Sequence, residues 1–284
     1  MSGFKNFALV GSGHLGDFIV EELLQAQAAG TVSKVLILTR TVSPTEGLQK
    51  FAAAGASIVG VDYTDQAAVT KALAGIDAVI STLPLTALAV EHGVAEASKA
   101  AGVKLFVQSE WGNSSLSKVV APGRAGNREK MRAIGLPWAV FNTGPWSDFL
   151  FVPFLRLDVK SGKAEVGGDG NSPISFTSRP DAARYVVYAL TQLPVSTLEY
   201  KIFEIEGERK SFNEVFKAYE AKTGKKVDVA YKSIRELQAA VAANPADFVS
   251  TLHIGWASEG LNGPQLDNEL YPDWHPKPVI DYLT

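Results

Sequence analysis

The chain has 284 residues, of which 46% are hydrophobic and 20% charged, the composition of a folded globular protein and not of a disordered or collagen-like one. There is no cysteine, which excludes a disulfide framework, thiolate metal sites and a cysteine nucleophile. Lysine and arginine number 27 against 30 aspartates and glutamates, a formal charge of −3, with no basic stripe of the kind that nucleic-acid binders carry.

At roughly 150 residues per domain the length points to two parts. The residues after Met1 run straight into a strand-like segment, so no signal peptide is read. The most apolar stretch, residues 136–154, is broken by polar residues and falls short as a bilayer span. A cytoplasmic protein is expected.

The first 145 residues alternate between two periodicities. Apolar runs rich in β-formers predict strands at residues 7–10, 35–38, 57–61, 78–81, 105–108 and 138–142. Helical spacing fills the gaps: a first helix with Phe18, Ile19, Leu23 and Ala26 on its apolar stripe, then residues 45–54, 66–74, 87–101 and 124–134. Gly30, Gly55, Gly75, Gly102 and Gly135 close these helices, while Pro44 and Asp65 sit near helix starts. Almost continuously apolar strands alternating with helices predict a doubly wound α/β fold, a parallel sheet covered on both faces.

Beyond Pro145 the pattern loosens. Residues 147–159 read as an apolar helix, 162–171 as a glycine-rich loop or hairpin, 180–192 as a helix and 200–205 as a strand. Ser211 and Glu214 form a capping box that opens a helix to residue 223, followed by a strand at 226–231 and helices near 233–243 and 245–257. Residues 1–148 are therefore expected to be a Rossmann dinucleotide-binding domain, and residues 149–284 a smaller α/β substrate lobe interleaved with it.

The sharpest motif is Gly11-Ser12-Gly13-His14-Leu15-Gly16, which follows a strand and opens a helix. The first glycine allows a tight turn, the second lets the backbone approach a pyrophosphate, and the third lets helix and strand pack closely. Thr39-Arg40 ends the second strand, where an acidic residue would bind the ribose of NAD. Arginine can fork onto a 2′-phosphate instead, which favours NADP(H), although a plain surface arginine is the alternative.

Asp62-Tyr63 and Ser81-Thr82-Leu83 lie at carboxyl ends of predicted strands, where such folds bind ligands. Asp62 suits the adenine amino group or, alternatively, a helix cap, and the Ser81 segment suits the nicotinamide ribose. Gln108, Glu110 and Trp111 end the fifth strand, and Asn142, Thr143, Pro145 and Trp146 end the sixth. Gln108, Asn142 and Thr143 are expected near the cofactor. Glu110 and Trp111 suit a substrate floor, with Trp111 in the core as the alternative, and Pro145, Trp146 and Phe149 would line the substrate.

No tyrosine is followed four residues later by lysine, so the usual reductase dyad is absent. His14, His92, His253 and His275 show no metal-ligand spacing, and no metal is expected.

The segments Val10–Gly16, Thr39-Arg40, Asp62–Asp65, Gly75–Thr82, Val103–Gly112, Gly135–Trp138 and Asn142–Asp148 resemble the NmrA-like, isoflavone reductase-like branch of the atypical short-chain dehydrogenases. The tail from Tyr271 is similar to endings of fungal members. The resemblance covers nearly the whole chain and implies a Rossmann NADP domain with a small substrate lobe. It also implies a catalytic lysine on the helix before Gly135, but the matching position holds Arg124. Arginine stabilises an anion but does not shuttle a proton. Lys130, six residues on, falls about 120° around the helix. The alternative is a solvated basic face of Arg124, Arg128, Lys130 and Arg132.

These readings converge on an NADPH-dependent reductase of a small aromatic or carbonyl-bearing molecule, with Arg124, Lys130 and Glu110 as the catalytic candidates. The alternative is a non-catalytic NADP(H)- or NAD(H)-binding redox sensor that regulates a protein partner. A small-molecule substrate is the expected partner, without direct nucleic-acid contact or membrane insertion, and a homodimer is left open.

Overall fold

A computed structural model describes residues 2–11, 13–40, 46–113, 123–260 and 265–284. The predicted helix starts at Pro44 and Thr45 lie outside the described residues. Within these limits the chain divides into two compact units. The first is Met1–Glu110, Gly123–Phe141 and Ala183–Phe203; the second is Trp111–Pro122, Asn142–Ala182 and Glu204–Thr284, counting the described residues in those bounds.

The first unit alternates strand and helix. β1 (Asn6–Val10), α1 (Gly16–Ala28), β2 (Lys34–Thr39), α2 (Glu46–Ala53), β3 (Ser57–Gly60) and α3 (Gln66–Ala72) come first. β4 (Ala78–Ser81), α4 (Leu88–Ala100), β5 (Leu105–Val107), α5 (Gly123–Ala133) and β6 (Trp138–Asn142) follow. Ala8, Val10, Leu36, Leu38, Val79, Phe106 and Val140 share one core cluster, while the alternate residues Phe7, Leu9, Val35, Ile37 and Ile80 are buried as well. Burial of both alternations puts apolar side chains on both faces of the sheet, and parallel crossovers then cover each face with helices. α1 seats Ile19, Val20, Leu23 and Leu24 in the core, and each such side chain contributes about 1.5–3 kcal/mol when fully buried.

The sheet has seven strands in the order β3-β2-β1-β4-β5-β6-β9, where β9 is Lys201–Glu204. The registered pairs from β3 to β6 are all parallel. Residues 183–203 belong to the first unit although they follow residue 148, because β9 takes the sheet edge: Tyr200 N–H donates to the Trp138 carbonyl at 2.7 Å. Strand order reverses between β1 and β4, so the carboxyl ends of those strands open a crevice.

The second unit holds β7 (Lys163–Gly167), β8 (Ile174–Phe176), β10 (Glu208–Lys210) and β11 (Asp228–Lys232). α6 (Arg179–Gln192) and α7 (Val195–Leu198) precede β9. α8 (Phe212–Thr223), α9 (Ile234–Ala243), α10 (Phe248–Glu259) and α11 (Ile280–Leu283) complete the chain. The capping box at Ser211 and Glu214 forms as the sequence predicts. Phe212 centres the core, 5.8 Å from Trp256 and 6.1 Å from Phe176, ring to ring.

Three expectations from the sequence differ from the structure. Residues 147–159 form no α-helix, only short 3-10 turns at Pro153–Leu155 and Val159–Ser161. Pro153 has no N–H to give, and Arg156 takes a left-handed φ of 60°, which ends the turn. The glycine-rich segment is neither loop nor hairpin throughout: residues 163–167 are β7, paired in parallel with β11. The predicted helix at 245–257 starts later, at Phe248, because the Asp247 carboxylate accepts the Ser250 N–H at 3.0 Å and caps it there. No helix among the described residues is long and apolar enough to cross a membrane.

Candidate active site

The glycine loop sits where the strand order reverses. Gly11 takes a left-handed φ of 90°, and its amide reaches the Leu38 carbonyl at 3.4 Å. Thr82 ties the loop to β4, its amide donating to the Val10 carbonyl at 2.9 Å and its hydroxyl to the Gly11 carbonyl. A Cβ on Gly16 would lie 2.7 Å from the Gly11 oxygen and 2.8 Å from the Thr82 hydroxyl, so only glycine lets α1 approach this closely. Over Gly13 nothing among the described residues lies within 4 Å of a Cβ position, which leaves space for a pyrophosphate. His14 is exposed, Leu15 buries its side chain in the core, and Ser12 lies outside the described residues. One occupant of the loop was not anticipated: Asp17, in the first turn of α1, accepts the Gly13 amide at 3.1 Å.

At the end of β2, Thr39 is buried and Arg40 exposed. Tyr63 is buried under this edge and spends its hydroxyl on the Leu38 carbonyl at 2.7 Å. Burial pushes its pKa up to about 12 against the Gly11 backbone and the charge of Arg40, both of which lower it. Tyr63 therefore props the loop as a neutral phenol. Asp62 is exposed and turns back to accept the Thr64 N–H at 2.9 Å and the Thr64 hydroxyl at 2.8 Å, which hold its carboxyl below the usual range. The cap of α3 is Asp65 instead, accepting the Ala68 N–H at 3.0 Å.

The ends of β4 and β5 carry a dense polar cluster. Ser81 and Gln108 are fully buried and Leu83 nearly so. Gln108 donates to the Arg124 carbonyl at 2.9 Å and fixes the start of α5. Glu110 is 4% exposed and forms an ion pair with Arg128. Arg128 thus leaves the solvated basic face on which it was placed, while Lys130 stays exposed. Arg124 is half-buried, and its buried Nη1 has no hydrogen-bond partner among the described residues. Burial lowers its pKa and the nearby Glu91 and Glu110 raise it; arginine stays protonated throughout.

Glu91 escaped the sequence reading. It is 2% exposed on α4 and accepts the Ser109 N–H at 2.7 Å. Burial raises its carboxyl above the ordinary range, against Ser109, Ser81, Arg124 and Asn127, which favour the charged form. The signal was present: Glu91, Val94, Ala95 and Ser98 occupy the buried stripe of α4, and a carboxylate at an apolar stripe position is an anomaly worth a role.

Asn142, Thr143 and the expected substrate residues lie in the second unit. Asn142 donates to Glu204 at 2.8 Å, and the Thr143 hydroxyl donates to the Trp111 carbonyl while accepting the Trp146 indole N–H at 3.0 Å. Trp111 is buried, whereas Pro145, Trp146 and Phe149 are half-buried. Trp146 and Phe149 meet edge to face at 6.3 Å, and Arg179, paired with Asp148 at 2.8 Å, lies 4.9 Å over the Phe149 ring.

A parallel sheet with this strand order, a glycine loop at its reversal and a basic residue closing β2 define a dinucleotide-binding α/β protein. The chain belongs to the NmrA-like family, whose model matches residues 7–253. It is 29% identical to phenylcoumaran benzylic ether reductase Betv6 of Betula pendula, covering 98% of this chain and 97% of that protein. It is 29% identical to isoflavone reductase homolog IRL of Zea mays, covering 100% and 99%. The fold matches leucoanthocyanidin reductase from Vitis vinifera, solved as a binary complex with NADPH, with a TM-score of 0.82 over 97% of each chain at 20% identity. These relatives are plant proteins, and the fungal-type ending expected of the tail finds no support among them.

Proposed function

We propose that the chain is an NADPH-dependent reductase of a small aromatic or carbonyl-bearing molecule. The observation that carries this reading is the presence, at one carboxyl edge of the sheet, of an open glycine loop and of a buried guanidinium N–H on Arg124 that has no hydrogen-bond partner among the described residues. The relatives' named activities, on phenylcoumaran benzylic ethers and isoflavones, support it.

When bound, NADPH supplies a hydride to an electrophilic carbon of the substrate. The amides of Gly11 and Gly13 and the N-terminus of α1 would hold the pyrophosphate, and Arg40 would hold the 2′-phosphate. Asp62 takes the adenine amino group. Ser81, Thr82 and Leu83 support the nicotinamide ribose, with Gln108 fixing the β5 end beside them. Arg124 stabilises the negative charge that develops on the substrate, as a preorganised donor does. It cannot deliver the proton, which comes from water or another side chain. Glu110 is neutralised by Arg128 and serves to shape the edge, and Lys130 points to solvent. Within the second unit Trp146 and Phe149 meet edge to face and present an apolar surface that suits an aromatic ring.

The test is titration with NADPH and NADH, followed by turnover on aldehydes, quinones and phenolic ethers. NADPH binding with oxidation by at least one class is expected. Tight binding without turnover across the panel would contradict the reductase and favour a cofactor-responsive binding protein.

A further inference from the structure

An indole at a surface can give its N–H to water, so a half-buried tryptophan that gives it to a buried hydroxyl is held for a reason. Trp146 is such a residue. Its N–H donates to the Thr143 hydroxyl at 3.0 Å, and Thr143 is fully buried while Trp146 is not. The same hydroxyl donates its own proton to the Trp111 carbonyl. It accepts from one tryptophan and donates to the backbone of another, so its direction is fixed.

The backbone around Trp146 is fixed as well. The Gly144 N–H donates to the Gly112 carbonyl at 3.0 Å. Gly144 has a left-handed φ of 67°, and a Cβ there would collide with the Ser175 carbonyl, so only glycine lets this turn press onto β8. On either side of Trp146, the Pro145 carbonyl accepts the Thr177 N–H at 3.3 Å and the Ser147 N–H donates to the Thr177 carbonyl at 3.2 Å. What freedom remains to Trp146 lies in its side-chain torsions, and the bond to Thr143 removes it.

The pinned indole has spent its one donor, so what it can present to a ligand is its ring. Phe149 meets it edge to face at 6.3 Å, and Arg179 lies 4.9 Å over the Phe149 ring. Arg179 is itself anchored, its backbone N–H and its Nε donating to Asp148 at 2.9 and 2.8 Å. Such a surface recognises a flat ring by stacking and selects little by hydrogen bonding.

We propose that Thr143 is a positioning residue for aromatic recognition: by pinning the Trp146 indole it orders in advance the ring on which an aromatic substrate stacks. The inference rests on the reading of Trp146 as part of the substrate wall, while the pinning itself stands apart from any turnover. The hydroxyl is committed within the second unit, which sets this role apart from the cofactor contact expected of Thr143 from the sequence.

The experiment reads Trp146 directly. Protein labelled with fluorotryptophan is followed by fluorine NMR, with the Trp146 resonance assigned by Trp146→Phe, and is titrated with anisaldehyde and with hexanal. In the wild type and in Thr143→Ser, one sharp Trp146 resonance is expected, shifted by anisaldehyde at lower concentration than by hexanal. Thr143→Val keeps the shape but not the hydroxyl. There the resonance is expected to broaden or split, and the anisaldehyde affinity to fall several-fold while that for hexanal holds. In steady-state kinetics the same variant should raise KM for anisaldehyde several-fold and change kcat less. A Thr143→Val resonance as sharp as the wild type's, or an unchanged anisaldehyde affinity, overturns the proposal. So does a wild-type Trp146 resonance that anisaldehyde does not shift. If no variant turns over, the reductase reading fails and the titration alone decides the role of Thr143. If Thr143→Val does not fold, hydrogen exchange of the Trp146 indole N–H in the wild type decides: protection is expected, and exchange as fast as that of a free indole overturns the pinning.

Discussion

The Gly13 amide donates to the Asp17 carboxylate at 3.1 Å, so a negative side chain holds one of the N–H groups that a pyrophosphate would use. An ionised carboxylate there both competes for the donor and repels the ligand. Asp17→Asn is expected to tighten NADPH binding several-fold at low salt, the gain shrinking as salt screens it. The same change removes a favourable acid from the first turn of α1 and costs about 0.3–1 kcal/mol of stability. Titration and chemical denaturation measure the two effects. Weakened binding would mean that Asp17 supports the loop more than it obstructs it.

Arg40 is exposed at the end of β2, where a 2′-phosphate would lie in this fold. A hydrogen bond to a charged group contributes about 1.5–3 kcal/mol, or roughly 10- to 100-fold in affinity. Arg40→Ala is expected to lose that much NADPH affinity while NADH affinity stays within about twofold. Calorimetric titration with both nucleotides checks it. An equal loss for both would place Arg40 outside phosphate recognition.

Arg124→Ala removes the buried guanidinium at the β5–α5 edge. Loss of one preorganised donor of this kind costs about 10²- to 10³-fold in kcat. NADPH affinity is expected to stay unchanged, because no part of the glycine loop is touched. Steady-state kinetics beside a binding titration separate the two quantities, and a kcat within a few-fold of wild type would exclude Arg124 from the reaction.

Asp247 carries a pH dependence of stability. The Ser250 hydroxyl and N–H, together with Arg156, hold its pKa at about 2, below the ordinary 3.8. A folded-state pKa below the unfolded one gives stability that is complete above pH 3.8 and lost as pH falls through about 2. Asp247→Asn keeps an acceptor for the Ser250 N–H but lacks the charge that Ser250 and Arg156 favour, so near neutrality it should unfold at a lower temperature than the wild type. Between about pH 4 and 2 it should destabilise less steeply than the wild type. Parallel acid limbs in the two proteins would assign that loss to other groups.

The first half of the fold was legible because its signals are local. Residues 7–10, 35–38 and 78–80 are apolar at every position, and a glycine follows each of the first helices. The second half was harder. The apolar residues of 147–159 repeat as a helix would, yet Pro153 and the left-handed Arg156 break it, and the partner of β7 lies 65 residues away in β11. Periodicity carries no information about such distant pairings. The site divides the same way. Gly11, Gly13 and Gly16 form one local motif, whereas Glu91 meets Ser109 only through folding. Arg128 looked like surface charge until Glu110 came to meet it.

The most direct test of the reductase reading is isotope transfer from NADPH deuterated at the nicotinamide C4, using the substrate class that gives turnover. Deuterium on the reduced carbon of the product, from one face of the nicotinamide only, is the predicted result. A product that carries no deuterium, or NADPH that binds tightly and is never consumed, would contradict it.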